Sequence, residues 1–589
     1  MRRRFILYIV SILAICLGGC MVGPDYVRPT VETPQNWRIE EQEARDLSNS
    51  SWWEQLNDPV LNDLVATALK ENKDLLIAAA RIEEFAGRYG FTRSGLFPQV
   101  GVDAAYSRQG DSKSIENAPR SGYNFNYDTF QTTLNASWEL DIWGRVRRST
   151  EAARAELLAS EEGRRAVILS LVSSVAAAYV NLRDLDRQLE IARSTVKTRE
   201  DGYSIFKDRF EGGIISEMEL SQVKSQYEEA LTTIPQLEKA ITQQENGLSV
   251  LLGRNPGPIQ RGKSIDQLTL PTVPAGLPSD LLARRPDIRQ AEQNLIAANA
   301  VIGVAKAAYY PSISLTGFFG FASSDLSDLF KGSSQVWQYS VPVNVPIFTA
   351  GRIAGEVKAA EAIQQQTLLA YRKAIQTAFR EVDDSLVDQK RTREQLTVQQ
   401  QQVDSLKKYY ELAQLRYDNG YTSYIEVLDA ERTLFNVELA YTQNQGSLFF
   451  SLINLYKAMG GGWVDIADKQ AAAALPASTF ACMDEIERFC KDVPPGKGEL
   501  LLCLSKRKLE LSQLCRDKIE KHLVKMEEAR KICAADMEKF CPGVEPGQGR
   551  LLKCMKPQID KISAACREKV EFYGGRASLP AATDKKGER

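Results

Sequence analysis

The sequence predicts a mixed α+β membrane protein that closes only as an assembly of several copies of itself. Three observations carry this expectation. A long helical hairpin is written twice, 207 residues apart. Each copy is preceded by a pair of strands that alternate apolar and polar residues, as the wall of a transmembrane barrel does. The chain also opens on Met1-Arg2-Arg3-Arg4 and the apolar run Phe5 to Gly19, a secretory signal too short for a comfortable transmembrane helix.

Composition narrows the function classes. With 589 residues, a quarter of them charged, and a formal net charge of −2, the chain has the balance of an ordinary folded protein and no basic excess for nucleic acid. Its single histidine, His522, leaves little from which to build imidazole relays or histidine-rich metal sites, so catalysis and cofactors are not expected. Ten cysteines are unevenly placed: Cys16 and Cys20 at the signal, the other eight between Cys482 and Cys566. The middle of the chain has none, and its fold must rest on packing.

After the signal, the stretch from Met21 to Trp37 holds Pro24, Pro29 and Pro34, which fix φ and remove helix donors. It reads as an extended tether lying along other structure. From Asp58-Pro59 to Arg93, Leu61, Leu64, Ala68, Leu76 and Ala80 recur at helical spacing, and a second version begins at Arg285-Pro286-Asp287. The period then switches to two. Phe130, Thr132, Leu134, Ala136, Trp138, Leu140 and Ile142 alternate with polar residues, and Val100, Val102, Ala104 and Tyr106 form a strand before them. The second half repeats the plan with Ile313, Leu315 and Phe319, then Trp337, Tyr339, Val341, Val343 and Val345. Four strands cannot close a barrel, for which at least eight are needed. Two copies would supply eight and three copies twelve.

Gly144-Arg145 and Gly351-Arg352 open long heptad patterns, with Leu182, Leu185, Leu189, Ala192 and Val196 in the first and Leu396, Gln399, Val403, Leu406, Tyr410 and Ala413 in the second. From Arg145 to Arg209 such a helix reaches about 100 Å, beyond any membrane, so it must project into water. Ala166 to Leu182 is uncharged but falls short of a span and contains Ser173 and Ser174, so it reads as tightly packed helix. Each pattern stops at a turn: Arg209, Gly213 and Ser216 in the first copy, Arg416, Gly420 and Ser423 in the second. Glycine past one helix end and serine before the next helix are the capping residues of a tight helical hairpin. A Pro-rich linker holding Pro256, Pro258, Pro271, Pro274 and Pro278 joins the halves, and the duplicated region closes near Met459 to Trp463.

Leu17-Gly18-Gly19-Cys20 resembles the bacterial lipobox, which implies that Cys20 becomes an acylated N-terminus and that Met21 permits outer-membrane sorting. Lipobox, VGPDY tether, WELDIWGR and RYDNGYTSYIEVLDAE stand in the order seen in the TolC-like outer-membrane efflux channels of the lipoprotein type. The resemblance implies a homotrimer with a twelve-stranded barrel in outer-membrane lipid, four strands per chain, continued by a periplasmic α-helical barrel. It also implies an adaptor (membrane fusion protein) docking at the hairpin tips, an inner-membrane pump that supplies energy, and a pore constriction at Asp418 and Tyr421. The rival reading is a structural or adhesive lipoprotein with a coiled-coil stalk, which has no need of amphipathic strands.

The domain plan expected is a signal over 1–19, a lipidated tether over 20–57, efflux repeats over 58–270 and 271–463, a linker over 464–481, cysteine repeats over 482–515 and 533–566, and a polar tail over 567–589. Cys482, Cys490, Cys503 and Cys515 are spaced 8, 13 and 12, and Cys533, Cys541, Cys554 and Cys566 repeat those spacings 51 residues on. This tandem resembles the cysteine-rich repeat of Golgi apparatus protein 1. No close CxxC pairs are present, so structural disulfides in an oxidising periplasm are expected, with three pairings open for each small helical module.

Overall fold

The structure, a computed structural model, describes residues 21–31, 34, 37, 51–112, 126–271, 281–460, 463–472, 485, 488–490, 499–511, 513–542, 544, 550–559, 561–563, 565–567 and 569–570. Cys20, Cys482 and the tail from 571 lie outside them. The chain divides into two units, Met1–Leu475 and Pro476–Arg589.

The duplication read in the sequence is a duplication of backbone. The first half runs α1 (Pro59–Glu71), α2 (Lys73–Ser94), β1 (Gln99–Gly110), β2 (Asn126–Leu140), α3 (Arg145–Glu211) and α4 (Glu217–Leu251). The second runs α5 (Pro286–Ala307), β3 (Ser312–Ser323), β4 (Gln335–Ser340), β5 (Val343–Asn344), α6 (Arg352–Asp418) and α7 (Tyr424–Ala458). α2 and α5 have 22 residues each, α3 and α6 have 67, and α4 and α7 have 35. The helical stretch expected from Asp58 to Arg93 is divided at Asn72, whose backbone is extended and whose side chain accepts from the Leu75 amide at 3.0 Å. An N-cap there starts a new helix.

The strands form one antiparallel sheet in the order β1-β2-β3-β4, with β5 also paired to β3. The two hairpins therefore join through β2 and β3. Register places Val102 opposite Leu134, Leu134 opposite Phe319, and Phe319 opposite Trp337, which gathers the apolar side chains on one face. Two expected strand ends differ. β2 stops at Leu140, before Ile142, and the fourth strand is interrupted at Val341-Pro342. Proline has no amide hydrogen for the ladder, though its carbonyl still accepts from the Ser314 amide at 3.1 Å.

The helices pack as hairpins, α3 against α4 and α6 against α7, with α5 between α3 and α6. Ile168, Val172, Val175, Ala176 and Tyr179 lie in a core shared with Trp52, Leu61 and Leu248, so the apolar segment of α3 faces protein. By length and composition alone α3 is apolar enough to cross a membrane. The tether runs along α5: the Asn299 side chain donates to the Pro24 carbonyl at 2.9 Å, and Tyr26 and Arg28 both bond Glu292. Arg148, 2 % exposed, pairs with Asp25 at 2.6 Å. Gly23, at φ +103°, lets the strap reach the helix, because a Cβ there would stand 2.4 Å from the Gly303 Cα.

The linker expected from residue 464 does not begin there. Trp463–Ala472 forms a helix, α8, that packs on α1 and α3. Trp463 is fully buried, edge-on to Trp52 and Trp53, and Asp468 pairs with Arg164 at 2.7 Å. The residues that carry this helix into the core are a buried aromatic and a buried ion pair, so the first unit extends to Leu475.

In the second unit α9 (Glu499–Ser505), α10 (Gln513–Ile532) and α12 (Arg550–Met555) carry Cys503, Cys515 and Cys554, and Cys533 and Cys541 flank α11 (Ala534–Phe540). Disulfides join Cys490 to Cys503, Cys541 to Cys554 and Cys533 to Cys566, and Cys515 is also disulfide-bonded. In the downstream module the outer pair encloses the inner pair, one of the three pairings left open. Its core holds three half-cystines, Cys533, Cys541 and Cys566, with Met555, Ile562 and Val570, and half-buried Cys554 packs against it.

Candidate functional site: the paired hairpin tips

Both turns are built by the same hydrogen bonds. In the first, the Gly213 amide donates to the Phe210 carbonyl and the Ile214 amide to the Arg209 carbonyl, each at 2.9 Å. In the second, Gly420 donates to Tyr417 and Tyr421 to Arg416, again at 2.9 Å. These are Schellman closures, which need a left-handed residue just past the helix. Gly213 at φ +71° and Gly420 at φ +76° supply it.

The restarts differ. Ser216 makes a full capping box with Glu219, and its amide and hydroxyl hold the Glu219 carboxyl below its ordinary range. Ser423 has the same extended backbone without a side-chain cap bond.

The two tips meet. The Arg209 guanidinium donates to the Tyr417 hydroxyl at 2.5 Å and lies over the rings of Phe206 and Tyr417. Tyr424 stacks into the same group, 4.2 Å from the Phe206 centroid and 4.9 Å from that of Tyr417. Ten residues up the hairpin, buried Arg199 donates to the Gln226 carbonyl at 2.6 Å and pairs with Glu431. Burial raises the Glu431 carboxyl while Arg199 lowers it. Arg416 pairs with Glu426 across its own turn at 3.3 Å.

Of the residues singled out in the sequence, Arg209, Gly213, Ser216, Arg416, Gly420 and Ser423 all fall at the tips. Asp418 ends α6, exposed, with the Gln414 amide on its carboxylate at 3.0 Å, and Tyr421 is 78 % exposed. Phe206, Tyr417 and Tyr424 were not singled out for the contact between hairpins. The heptad step from Tyr410 to Tyr417 along α6 marks one of them, whereas Tyr424 lies past the turn at the start of α7, where no periodicity carries over.

Beside the turns, the apolar side chains of Ile214, Met218, Leu415 and Ile425 are each more than half exposed, interspersed with exposed Glu211, Glu217, Arg416 and Asp418. Among the described residues no three metal-ligating side chains converge.

Long helical hairpins with closed tips, carried on an antiparallel sheet with one apolar and one polar face, define a channel-forming outer-membrane protein. The chain belongs to the outer membrane efflux protein family, whose model matches residues 64–254 and 277–461. It is similar to the toluene efflux pump outer membrane protein TtgF of Pseudomonas putida, 37% identical over 478 residues that cover 79% of this chain and 99% of the relative. It is also similar to the cation efflux system protein CusC of Escherichia coli, 36% identical over 457 residues, 77% of this chain and 97% of the relative. The solved CmeC outer membrane channel of Campylobacter jejuni superposes with a TM-score of 0.74 at 28% identity, over 78% of this chain and all of that one. A separate family described as cysteine rich repeat matches residues 476–512.

Proposed function

We propose that this chain is the outer-membrane exit duct of a tripartite efflux system, passing small molecules or ions passively and without catalysis. The observation that carries this is the four-stranded sheet. Its outer strands, β1 on one side and β4 with β5 on the other, have no further neighbour among the described residues, and one face is apolar. Open strand edges are not tolerated in lipid, so the edges must pair with those of other copies. Three copies close twelve strands, and the paired 67-residue helices continue the wall into the periplasm for about 100 Å.

The exposed apolar residues beside Arg209, Gly213 and Ser216, and beside Arg416, Gly420 and Ser423, support docking of a periplasmic adaptor there, which links the duct to an inner-membrane pump. Asp418 and Tyr421, exposed on the second tip, are the proposed constriction. Three carboxylates about an axis attract cations. Cys20 is proposed as the acylated residue; acyl chains contribute about 0.8 kcal/mol per buried CH₂ to membrane retention. Mass spectrometry of the mature N-terminus reads that modification directly, and an unmodified cysteine sinks it.

The relatives' names speak of toluene and of cations, so the family's duct is not tied to one cargo. Purified full-length protein in a planar lipid bilayer tests the duct. Discrete conductance steps from a trimer are expected; a trimer that never conducts would favour the stalk.

A further inference from the structure

The inner face of the sheet carries more than neutral polar residues. Register places Gln99, Gly101 and Asp103 of β1 on one face with Ser137, Asn135 and Thr133 of β2, then with Thr316, Phe318 and Gly320 of β3. The opposite face holds Val102, Leu134, Phe319 and Trp337 in the same register, all of them exposed and apolar. In a barrel the apolar face meets lipid, and the face with Asp103 lines the lumen. A shallow trough of about 420 Å³ runs across that face, bordered by Gln99, Gly101, Asn135, Phe318 and Gln338. Its volume is in the range of small-molecule sites.

Several features make this trough and the adjoining Asp103 chemically particular. Phe318 stands among amides, with Asn135 as its direct partner on β2 and Gln338 on β4. Asn135 also donates to the Asp103 carboxylate, so aromatic ring, amide and acid are contiguous. Gly101 leaves the space between them open, since a Cβ there would meet nothing within 4 Å. Asp103 has no ion-pair partner within 4.0 Å among the described residues, whereas Glu139, the other carboxylate on this face of the described strands, is held by Arg145 at 2.6 Å. No lysine or arginine occupies this face of the described strands.

We propose that Asp103, Asn135 and Phe318 form a cargo-contact site in the barrel lumen for organic cations that carry an apolar body. The carboxylate attracts the charge, the Phe318 face receives the cation and its apolar flank, and the amides accept or donate as the cargo requires. Three copies set three such sites around the axis. The inference rests on the duct reading, since only a barrel makes this face a lumen.

The test uses purified full-length protein in a planar bilayer, with benzyltrimethylammonium, tetramethylammonium and phenylacetate as blockers. Benzyltrimethylammonium is expected to block at lower concentration than tetramethylammonium. Its half-blocking concentration is expected to rise about fivefold in Asp103→Asn and, separately, in Phe318→Leu. Asp103→Lys is expected to transfer the block to phenylacetate. Asp103 is exposed and Phe318 half-buried, and a heat-stable trimer band on gels confirms that each variant assembles. Conducting pores whose block is the same in wild type and variants overturn this site and leave the duct intact. A trimer without conductance overturns both.

Discussion

A single guanidinium joins the hairpin tips, and what it holds follows from its surroundings. Arg209 bonds the Tyr417 hydroxyl and covers two rings, so Arg209→Ala removes a charge-assisted hydrogen bond and two ring contacts at once. The loss is about 1 to 2 kcal/mol, enough to raise local opening about tenfold. Amide exchange over 203–220 and 417–428 is the measurement; unchanged protection in the variant would show that the tips are held elsewhere. Asp184 gives a second residue-scale prediction with a definite sign. It is 5 % exposed in α3, beside Gly446 of α7, with the Gln188 amide as its hydrogen-bond partner at 3.0 Å. Burial raises its carboxyl from 3.8 to about 6. An acid that holds its proton more tightly when folded contributes most stability below its unfolded value and loses it as pH rises towards 6. Asp184→Asn keeps the Gln188 bond without the buried charge. It is expected to stabilise the protein by about 3 kcal/mol per chain at pH 7 and by only about 0.5 kcal/mol at pH 4. Melting temperatures at the two pH values decide it; an equal shift at both would place the effect outside titration.

Elements were legible wherever periodicity and caps agreed. Gly213, Ser216, Gly420 and Ser423 marked both turns because helix ends need particular residues whatever surrounds them. The strands were legible from alternation, and the break at Pro342 follows from the missing amide. Contacts between elements left weaker traces. Nothing local tells Phe206 that it will stack on Tyr424, 218 residues away, and the α8 stretch reads as linker because it follows the glycines ending the duplicated region. Only its tertiary partners, Trp52, Trp53, Arg164 and Arg165, make it part of the channel unit. A chain truncated after residue 462 loses a fully buried tryptophan and leaves Arg164 buried without its acid. The expected cost is about 3 to 5 kcal/mol. A chain truncated after residue 475 keeps both. The first is expected to melt well below the second, and coincident melting curves would mean that α8 contributes nothing to the unit.

At the scale of the whole molecule, two units are stabilised by different means. The channel unit buries long apolar stripes between helices and between its two halves, and its described residues contain no disulfide. The cysteine-rich unit has only small cores around each module, and domains this short bury too little surface to stand on packing alone. Its stability must come largely from cross-links, typically worth 2–4 kcal/mol each through the restricted unfolded chain. The nested pairing in the downstream module, Cys533 with Cys566 around Cys541 with Cys554, matches the 51-residue repeat upstream, where Cys490 pairs with Cys503. By the same offset, Cys515 is proposed to pair with Cys482. Peptide mapping without reduction is therefore expected to recover four disulfides and no free thiol in the eight distal cysteines. Reduction is expected to unfold the cysteine-rich unit while the trimer persists, because the barrel edges and helix stripes that hold the trimer contain no cysteine. The two readouts separate on one sample: loss of helical signal from a purified 476–589 fragment under reductant, and an unchanged trimer band from the full chain under the same reductant. A trimer that falls apart on reduction would make the cysteine-rich unit part of the assembly interface, and a fragment that keeps its fold without disulfides would refute the account of its stability.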